Sequence, residues 1–355
     1  MTILKNKRIL VTGGTGSMGQ TFVRRALSGE LGVPKKVIVF SRDEAKQHEM
    51  RMHYLNQLVT TDEAIYRNFM NVLEFRIGDV RDFGAVCSAV RGADIVVNAA
   101  ALKQVPTCEY FPAQALATNC EGPNNIVRAI REHGYPVETV VGISTDKACK
   151  PVNVMGMTKA LQERIFVSAN VLNPDTRFIC VRYGNVLASR GSVIPLFLDQ
   201  IRHGGPVTIT EPDMTRFLLS LDDAVDTVFA ALAGARRGET YIPRAPSSTV
   251  MRIARALIGS RRIKTWLIGI RPGEKKHEIL ISEEEAHHCV SRGRHYAILP
   301  MLPELLAGAP AKSRLPGEYS SADHVLDLKA TSKLLRRHRL MPEQAGAPGS
   351  KELLR

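Results

Sequence analysis

The chain has 355 residues, 44% hydrophobic and 23% charged, with a formal net charge of +13. This composition is ordinary for a globular protein, and no apolar run approaches the roughly 18 residues of a membrane span. Its basic residues fall in scattered pairs, such as Lys35–Lys36 and Arg236–Arg237, without a basic run or interleaved aromatics. That argues against nucleic acid and suits a phosphate-bearing small ligand.

The first strand is expected over KRILVTGG, where Ile9, Leu10 and Val11 are contiguous, followed by helical spacing over Thr21–Leu27. KKVIVFSRD gives a second strand, and the polar stretch 44–70 a helix and a loop. LEFRIGDVRD and ADIVVNAAA give the third and fourth strands. ATNCEGPNNIVRAIREHG reads as a helix with a glycine stop, VETVVGISTD as a fifth strand, NVMGMTKALQERIFVSAN as a long helix and TRFICVRYGNV as a sixth strand. Strands that are continuous apolar runs, alternating with helices, predict an α/β fold with a doubly wound, Rossmann-like parallel sheet.

Past residue 185 the segments become shorter and more mixed. The expected organisation is a dinucleotide-binding domain over 1–185, its sheet completed by later segments, a smaller α/β substrate lobe over 186–300 and an extension over 301–355. The Pro/Gly/Ala-rich tail from about 338 is expected to fray. The start of the chain runs straight into a strand and has no leader-like pattern. Its six cysteines, Cys87, Cys108, Cys120, Cys149, Cys180 and Cys289, show no metal-ligand spacing, so reduced thiols, no metal site and a cytoplasmic location are expected.

Gly13, Gly16 and Gly19 follow the first strand and precede a helix. Glycines there allow a tight turn and close approach to a pyrophosphate, which the helix N-terminus then attracts. Thr15, Ser17 and Met18 complete this loop. At the end of the second strand, Ser41, Arg42 and Lys46 can surround a 2′-phosphate, while Asp43 suits a helix N-cap. The pattern favours NADP over NAD. Asp79 and Val80 are expected near the adenine, and Ala99, Ala100 and Ala101 along the pyrophosphate and ribose.

SRDE at 41–44, GDVRD at 78–82, AAALKQVP at 99–106, STDKACKPVNVMGMTK at 144–159, RYGNVLASRGSVIPLF at 182–197, MTRF at 214–217 and RPGEKKHE at 271–278 occur in this order. Together they resemble the extended short-chain dehydrogenases that act as UDP-N-acetylglucosamine 4,6-dehydratases in polysaccharide biosynthesis, including the C5-inverting type of the pseudaminic-acid pathway. The resemblance spans about residues 5–300.

It implies oxidation of the sugar at C4, loss of the C5 proton, departure of the C6 hydroxyl as water, and return of the hydride to C6. Asp146 would protonate the leaving hydroxyl and Lys147 would take the C5 proton. Those roles need a raised pKa on Asp146 and a lowered one on Lys147, and an ion pair between them opposes both. Thr145 would bind O4, and Lys159 the nicotinamide ribose. Met155 stands where the wider family has tyrosine, and the resemblance gives it a substrate-packing role, leaving the O4 base open. Lys103 and Asn119 would approach the cofactor, Lys103 also the sugar. Asn185, Val193, Pro195 and Leu196 would form the nucleotide pocket. Thr208 and Thr210 would line the uracil, Arg216 and Arg271 would bind the pyrophosphate, and Glu274 the uridine ribose. His277 fits a structural role as well as a ligand contact. The expected partner is a UDP-sugar, with neither nucleic acid nor membrane, and the chain would form a homo-oligomer. The competing readings are a UDP-sugar 4-epimerase and a non-catalytic NADP sensor.

Overall fold

The computed structural model describes residues 2–56, 63–187, 192–306 and 315–344. In chain order it runs β1 (Arg8–Thr12), α1 (Ser17–Ser28), β2 (Lys36–Ser41), α2 (Glu44–Leu55), α3 (Glu63–Val72), β3 (Leu73–Ile77), α4 (Phe83–Val90), β4 (Ile95–Asn98), α5 (Val105–Tyr110), α6 (Pro112–Leu116), α7 (Gly122–His133), β5 (Thr139–Thr145), α8 (Val154–Leu172) and β6 (Arg177–Tyr183). Then follow α9 (Val193–Arg202), β7 (Val207–Ile209), β8 (Thr215–Phe217), α10 (Leu221–Gly234), β9 (Thr240–Pro243), β10 (Ser247–Thr249), α11 (Val250–Ile258), β11 (Thr265–Leu267), β12 (Ile279–Ile281), α12 (Glu283–Ala286), β13 (Cys289–Arg292), β14 (His295–Ile298), β15 (Tyr319–Ser320) and α13 (Leu328–Arg337).

Nine strands form one sheet in the order β13-β14-β9-β6-β5-β4-β1-β2-β3. It is parallel from β9 to β3, and β14 and β13 add an antiparallel edge. The continuous apolar runs have a direct cause: both faces are covered. Ile9, Val11, Val37, Val39, Val97, Val141 and Val181 enter one core, with Phe22 and Leu27 of α1 and Val225 and Val228 of α10. The alternate residues Leu10, Ile38, Val96, Val140 and Cys180 enter the other, against Val86 of α4, Ile126 of α7 and Phe166 of α8. A strand buried on both faces must be apolar at every position.

Helix α1 begins at Ser17, ahead of the predicted Thr21, because the glycine loop sets its start and the apolar stripe does not. The stretch 44–70, read as a helix and a loop, holds two helices, and residues 57–62 lie outside the described residues. A third core joins α9, β7 and α11 to Leu335, Leu340 and Met341. Leu340 and Met341 belong to the tail expected to fray, and they are buried; residues 345–355 lie outside the described residues. Among the described residues no helix is long and apolar enough to cross a membrane.

Candidate active site

The glycine loop follows β1, Ser41 ends β2, Ala99–Ala101 follow β4 and Thr145 ends β5, so these candidates share the carboxyl ends of the parallel strands, where open α/β sheets take their ligands. Gly13 turns the chain after β1 with φ 65°, a conformation natural to glycine. A Cβ on Gly13 would lie 2.7 Å from the Ala100 backbone, so this loop touches the end of β4 directly. A Cβ on Gly19 would lie 2.6 Å from Gly14 Cα. Gly16 is the N-cap of α1, with no side-chain cap and no acidic residue in the first turn. The first-turn amides of Ser17, Met18 and Gly19 thus meet no competing side chain, and the helix dipole favours an anion. This donor set fits the pyrophosphate of a dinucleotide. Ala99, Ala100 and Ala101 run on from β4, with the Ala99 amide bonded to Thr12 O at 3.1 Å.

At the end of β2, the Ser41 and Thr15 hydroxyls share a hydrogen bond of 2.9 Å, and both residues are buried. The Arg42 side chain is 60% exposed and lies 3.7 Å from Asp79. Arg81 holds Asp79 at 2.6 Å, and its hydrogen bond draws that carboxyl below its usual range. Asp43 is the N-cap of α2, accepting from Lys46 N–H, and it also pairs with the Lys46 ammonium. The three expected 2′-phosphate residues are therefore not equivalent: Lys46 is turned to Asp43. Val80 is buried under Gly122, where a Cβ would meet its Cγ2 at 2.8 Å. A cavity of about 210 Å³ opens beside Arg42, Arg81, Leu102 and Thr118. A larger one, about 530 Å³, lies between α11 and α13 and shares no residue with the site.

The fifth strand ends in a charged cluster. Thr145 ends β5 and donates to Asp146 Oδ1 at 2.8 Å. The next turn places Lys147 Nζ 3.2 Å from Asp146 Oδ1 and 3.3 Å from Glu278 Oε1. Arg216 Nε lies 3.7 Å from the same Glu278 oxygen. Burial acts to release the Lys147 proton, but Asp146 and Glu278 outweigh it, and the amine is held above the ordinary lysine value. The lowered value that a resting base would need is absent; Glu278, which the sequence reading did not use, is one reason. Two carboxylate oxygens of the cluster, Asp146 Oδ2 and Glu278 Oε2, are buried without a hydrogen-bond partner. So are Asn185 Oδ1 and Glu274 Oε2. Unpartnered buried acceptors are costly, so these oxygens are free to take hydroxyl donors.

Gly156 fixes this turn. A Cβ there would sit 2.2 Å from Lys147 O, so α8 starts in contact with the 146–148 backbone. Asn153 caps α8 by accepting from Gly156 N–H at 2.8 Å and donates to Gly273 O at 2.9 Å. That second bond ties the helix to the turn that carries Arg271 and Glu274. Behind the site, Arg182 is buried between Glu163 and Glu285, at 2.6 and 2.7 Å, and Ser144 donates to Glu163.

Met155 is 4% exposed and packs with Cys108 and Ala115. Lys159 donates to Ile143 O at 2.5 Å and Gln162 Oε1 at 2.6 Å; burial pulls it down to about 8, with Glu163 opposing. Asn119 spends both ends of its amide on Leu102 and Thr158. The polar groups of Lys159 and Asn119 are thus bonded to protein. Lys103 lies on the exposed loop after β4.

On the substrate side, Val193 and Pro195 are half-buried at the start of α9, with Leu196 exposed. Thr208 exchanges hydrogen bonds with Gln200, and Thr210 donates to Met214 Sδ at 3.0 Å. Arg216 lays its guanidinium on the carbonyls of Thr215, Lys275 and Lys276, facing the Lys147 cluster. Arg271 is exposed. His277 shares a hydrogen bond of 2.8 Å with Thr215, a structural contact.

The family model described as "Polysaccharide biosynthesis protein" matches residues 9–300. The UDP-glucose 4-epimerase of Rickettsia bellii (strain RML369-C) is 42% identical over 298 residues, 82% of this chain and 83% of its own. That of Rickettsia conorii is 44% identical over 285 residues, 79% of each. Pen from Bacillus thuringiensis has the same fold at a TM-score of 0.82 and 32% identity, covering 95% of this chain and 99% of its own. A double mutant of DesIV, a dTDP-glucose 4,6-dehydratase from Streptomyces venezuelae, solved with NAD and DAU, shares the fold at a TM-score of 0.63 and 23% identity, covering 76% of this chain and 86% of its own. With the glycine-loop sheet, the strand-end cluster and these relatives in hand, the chain belongs to the polysaccharide biosynthesis protein family, an extended short-chain dehydrogenase/reductase-like group of nucleotide-sugar-modifying enzymes.

Proposed function

We propose that the protein is an NADP-dependent 4,6-dehydratase of UDP-N-acetylglucosamine, forming a UDP-4-keto-6-deoxy-hexosamine for surface glycan synthesis. The observation that carries this reading is Lys147 Nζ held between Asp146 and Glu278 at the end of β5. Elimination of water across C5 and C6 needs a base and an acid side by side. Asp146 and Lys147 supply both once a single proton passes from Nζ to the carboxylate, with no change in the charge of the site. NADP would accept the C4 hydride and return it at C6. The chain's own residues bind the pyrophosphate at α1, place Arg42 for the 2′-phosphate, and manage the protons at O4, C5 and O6. Met155 packs among apolar neighbours and has no proton to give, so the O4 proton falls to the Thr145–Asp146–Lys147 turn.

A second reading is a UDP-sugar 4-epimerase, favoured by the name of the Rickettsia relatives. An epimerase needs a base only at O4 and leaves C6 untouched. Proton NMR of the protein with UDP-N-acetylglucosamine and NADP in D₂O separates the two. A new C6 methyl signal with deuterium at C5 supports the dehydratase. A C4-inverted sugar with its C6 hydroxyl intact replaces it with the epimerase.

A further inference from the structure

Building on the reading of Lys147 as the C5 base, we propose that Glu278 is the positioning residue for Lys147: its carboxylate anchors Nζ from the position just ahead of β12 and governs when that nitrogen can take a proton.

Asp146 is the neighbour of Lys147 in the chain and moves with the same turn, so it cannot fix that turn against the rest of the site. Glu278 comes from a distant segment and is itself held. Its N–H donates to Ser321 Oγ at 2.9 Å, and Ser321 N–H donates back to Glu278 O at 2.8 Å. Ser321 is fully buried and shares a hydrogen bond of 2.6 Å with Thr215. The carboxylate then bridges Lys147 at 3.3 Å and Arg216 at 3.7 Å through one oxygen. Its other oxygen is buried and unpartnered, which leaves an acceptor beside the reacting amine.

Four charged groups face Lys147: Asp146 on its own turn, Glu278 before β12, Arg216 on β8 and Lys275 on the loop ahead of β12. The two carboxylates retain the proton; Arg216 and Lys275 help to release it. Glu278 is the member whose charge and reach can both be altered without touching the turn that carries Asp146 and Lys147.

The test uses the full chain with NADP bound and two variants, Glu278→Gln and Glu278→Asp. Acetic anhydride labels neutral amines, so the labelling rate of Lys147 at pH 9, read by peptide mass spectrometry against exposed Lys35, reports its proton affinity without reference to turnover. Glu278→Gln removes one facing charge and should raise that rate about tenfold or more, since tenfold corresponds to one pKa unit. Glu278→Asp keeps the charge but withdraws the carboxylate; its Lys147 labelling should exceed wild type by less than Glu278→Gln does. Its C5 exchange in D₂O should fall about tenfold or more. A purely structural glutamate would leave the labelling ratio unchanged. An unchanged ratio in Glu278→Gln overturns the proposal, as does wild-type C5 exchange in Glu278→Asp. Should Glu278→Gln fail to fold, Arg216→Gln probes the same cluster from the opposite side: it should slow Lys147 labelling, and no change would equally overturn the proposal. If the wild type shows no C5 exchange, the dehydratase reading fails, and the labelling ratio still decides whether Glu278 governs Lys147.

Discussion

Replacing Gly156 with alanine sets two physical effects against each other at one atom. Gly156 lies in the first turn of α8 and its φ is not in the left-handed region, so alanine is conformationally allowed there. Helix propensity alone favours the change by about 1 kcal/mol. The added methyl would meet Lys147 O at 2.2 Å, about 1 Å inside ordinary contact, and that oxygen belongs to a backbone that cannot simply rotate away. Overpacking of this kind costs about 1–3 kcal/mol, so after the propensity gain the net effect is a loss of about 0–2 kcal/mol. The site suffers more than the fold. Relieving the clash pushes the 146–148 turn away from α8 by about 1 Å, a displacement that can cost about 100-fold in rate. Urea unfolding followed by circular dichroism gives the first quantity, and methyl-signal growth in proton NMR gives the second. A Gly156→Ala protein as stable as wild type, with activity within about twofold, would refute the reasoning.

Arg182→Met would leave Glu163 and Glu285 buried and facing each other, and should cost about 3–5 kcal/mol in urea unfolding; a loss below about 1 kcal/mol would mean that water reaches the pair. Arg42→Ala should weaken NADP binding about tenfold or more in calorimetric titration while leaving NAD within about twofold, because only a 2′-phosphate uses the guanidinium. Equal losses for the two dinucleotides would remove Arg42 from cofactor choice. Burial holds Lys159 down to about 8 in the folded protein against about 10.4 in an unfolded chain. Between those values the unfolded state binds the extra proton, so stability contributed by this site rises with pH from about 8 to about 10. Lys159→Met should lack that rise, and parallel stability–pH curves for the two proteins would contradict it.

Much of the fold could be read from the chain because its causes are local or periodic. The apolar runs at Ile9–Val11, Val37–Phe40 and Val140–Val141 declared a sheet covered on both faces, and the glycine loop declared the turn between β1 and α1. Thr145, Asp146 and Lys147 were legible as a strand-end group. Glu278 was not, although RPGEKKHE was in view, because its contact with Lys147 depends on β12 pairing with the remote β15 and on Ser321 just past that strand. Arg182 was passed over for a similar reason: a charge inside a strand reads as a surface residue until its two carboxylate partners arrive from α8 and α12. Lys46 has a local pairing that the sequence reading left out. A nearer partner three residues back, Asp43, competes for its ammonium, and charge counting did not weigh that pairing.

The order of strands in the sheet differs from their order of synthesis, and this shapes how the protein comes into being. β6 is made early, yet its outer neighbour β9 begins only at Thr240, and β14 and β13 follow later still. While the ribosome works through the intervening segment, the backbone groups of Cys180 and Val181 that will meet Thr240 and Tyr241 have no partner. An open, apolar strand edge invites pairing with other chains, and contacts this remote in sequence form slowly. Chains truncated before Thr240 should therefore collect in the insoluble fraction. The sheet thus depends on late-made strands for its closing edge, and a nascent chain is most vulnerable between β6 and β9.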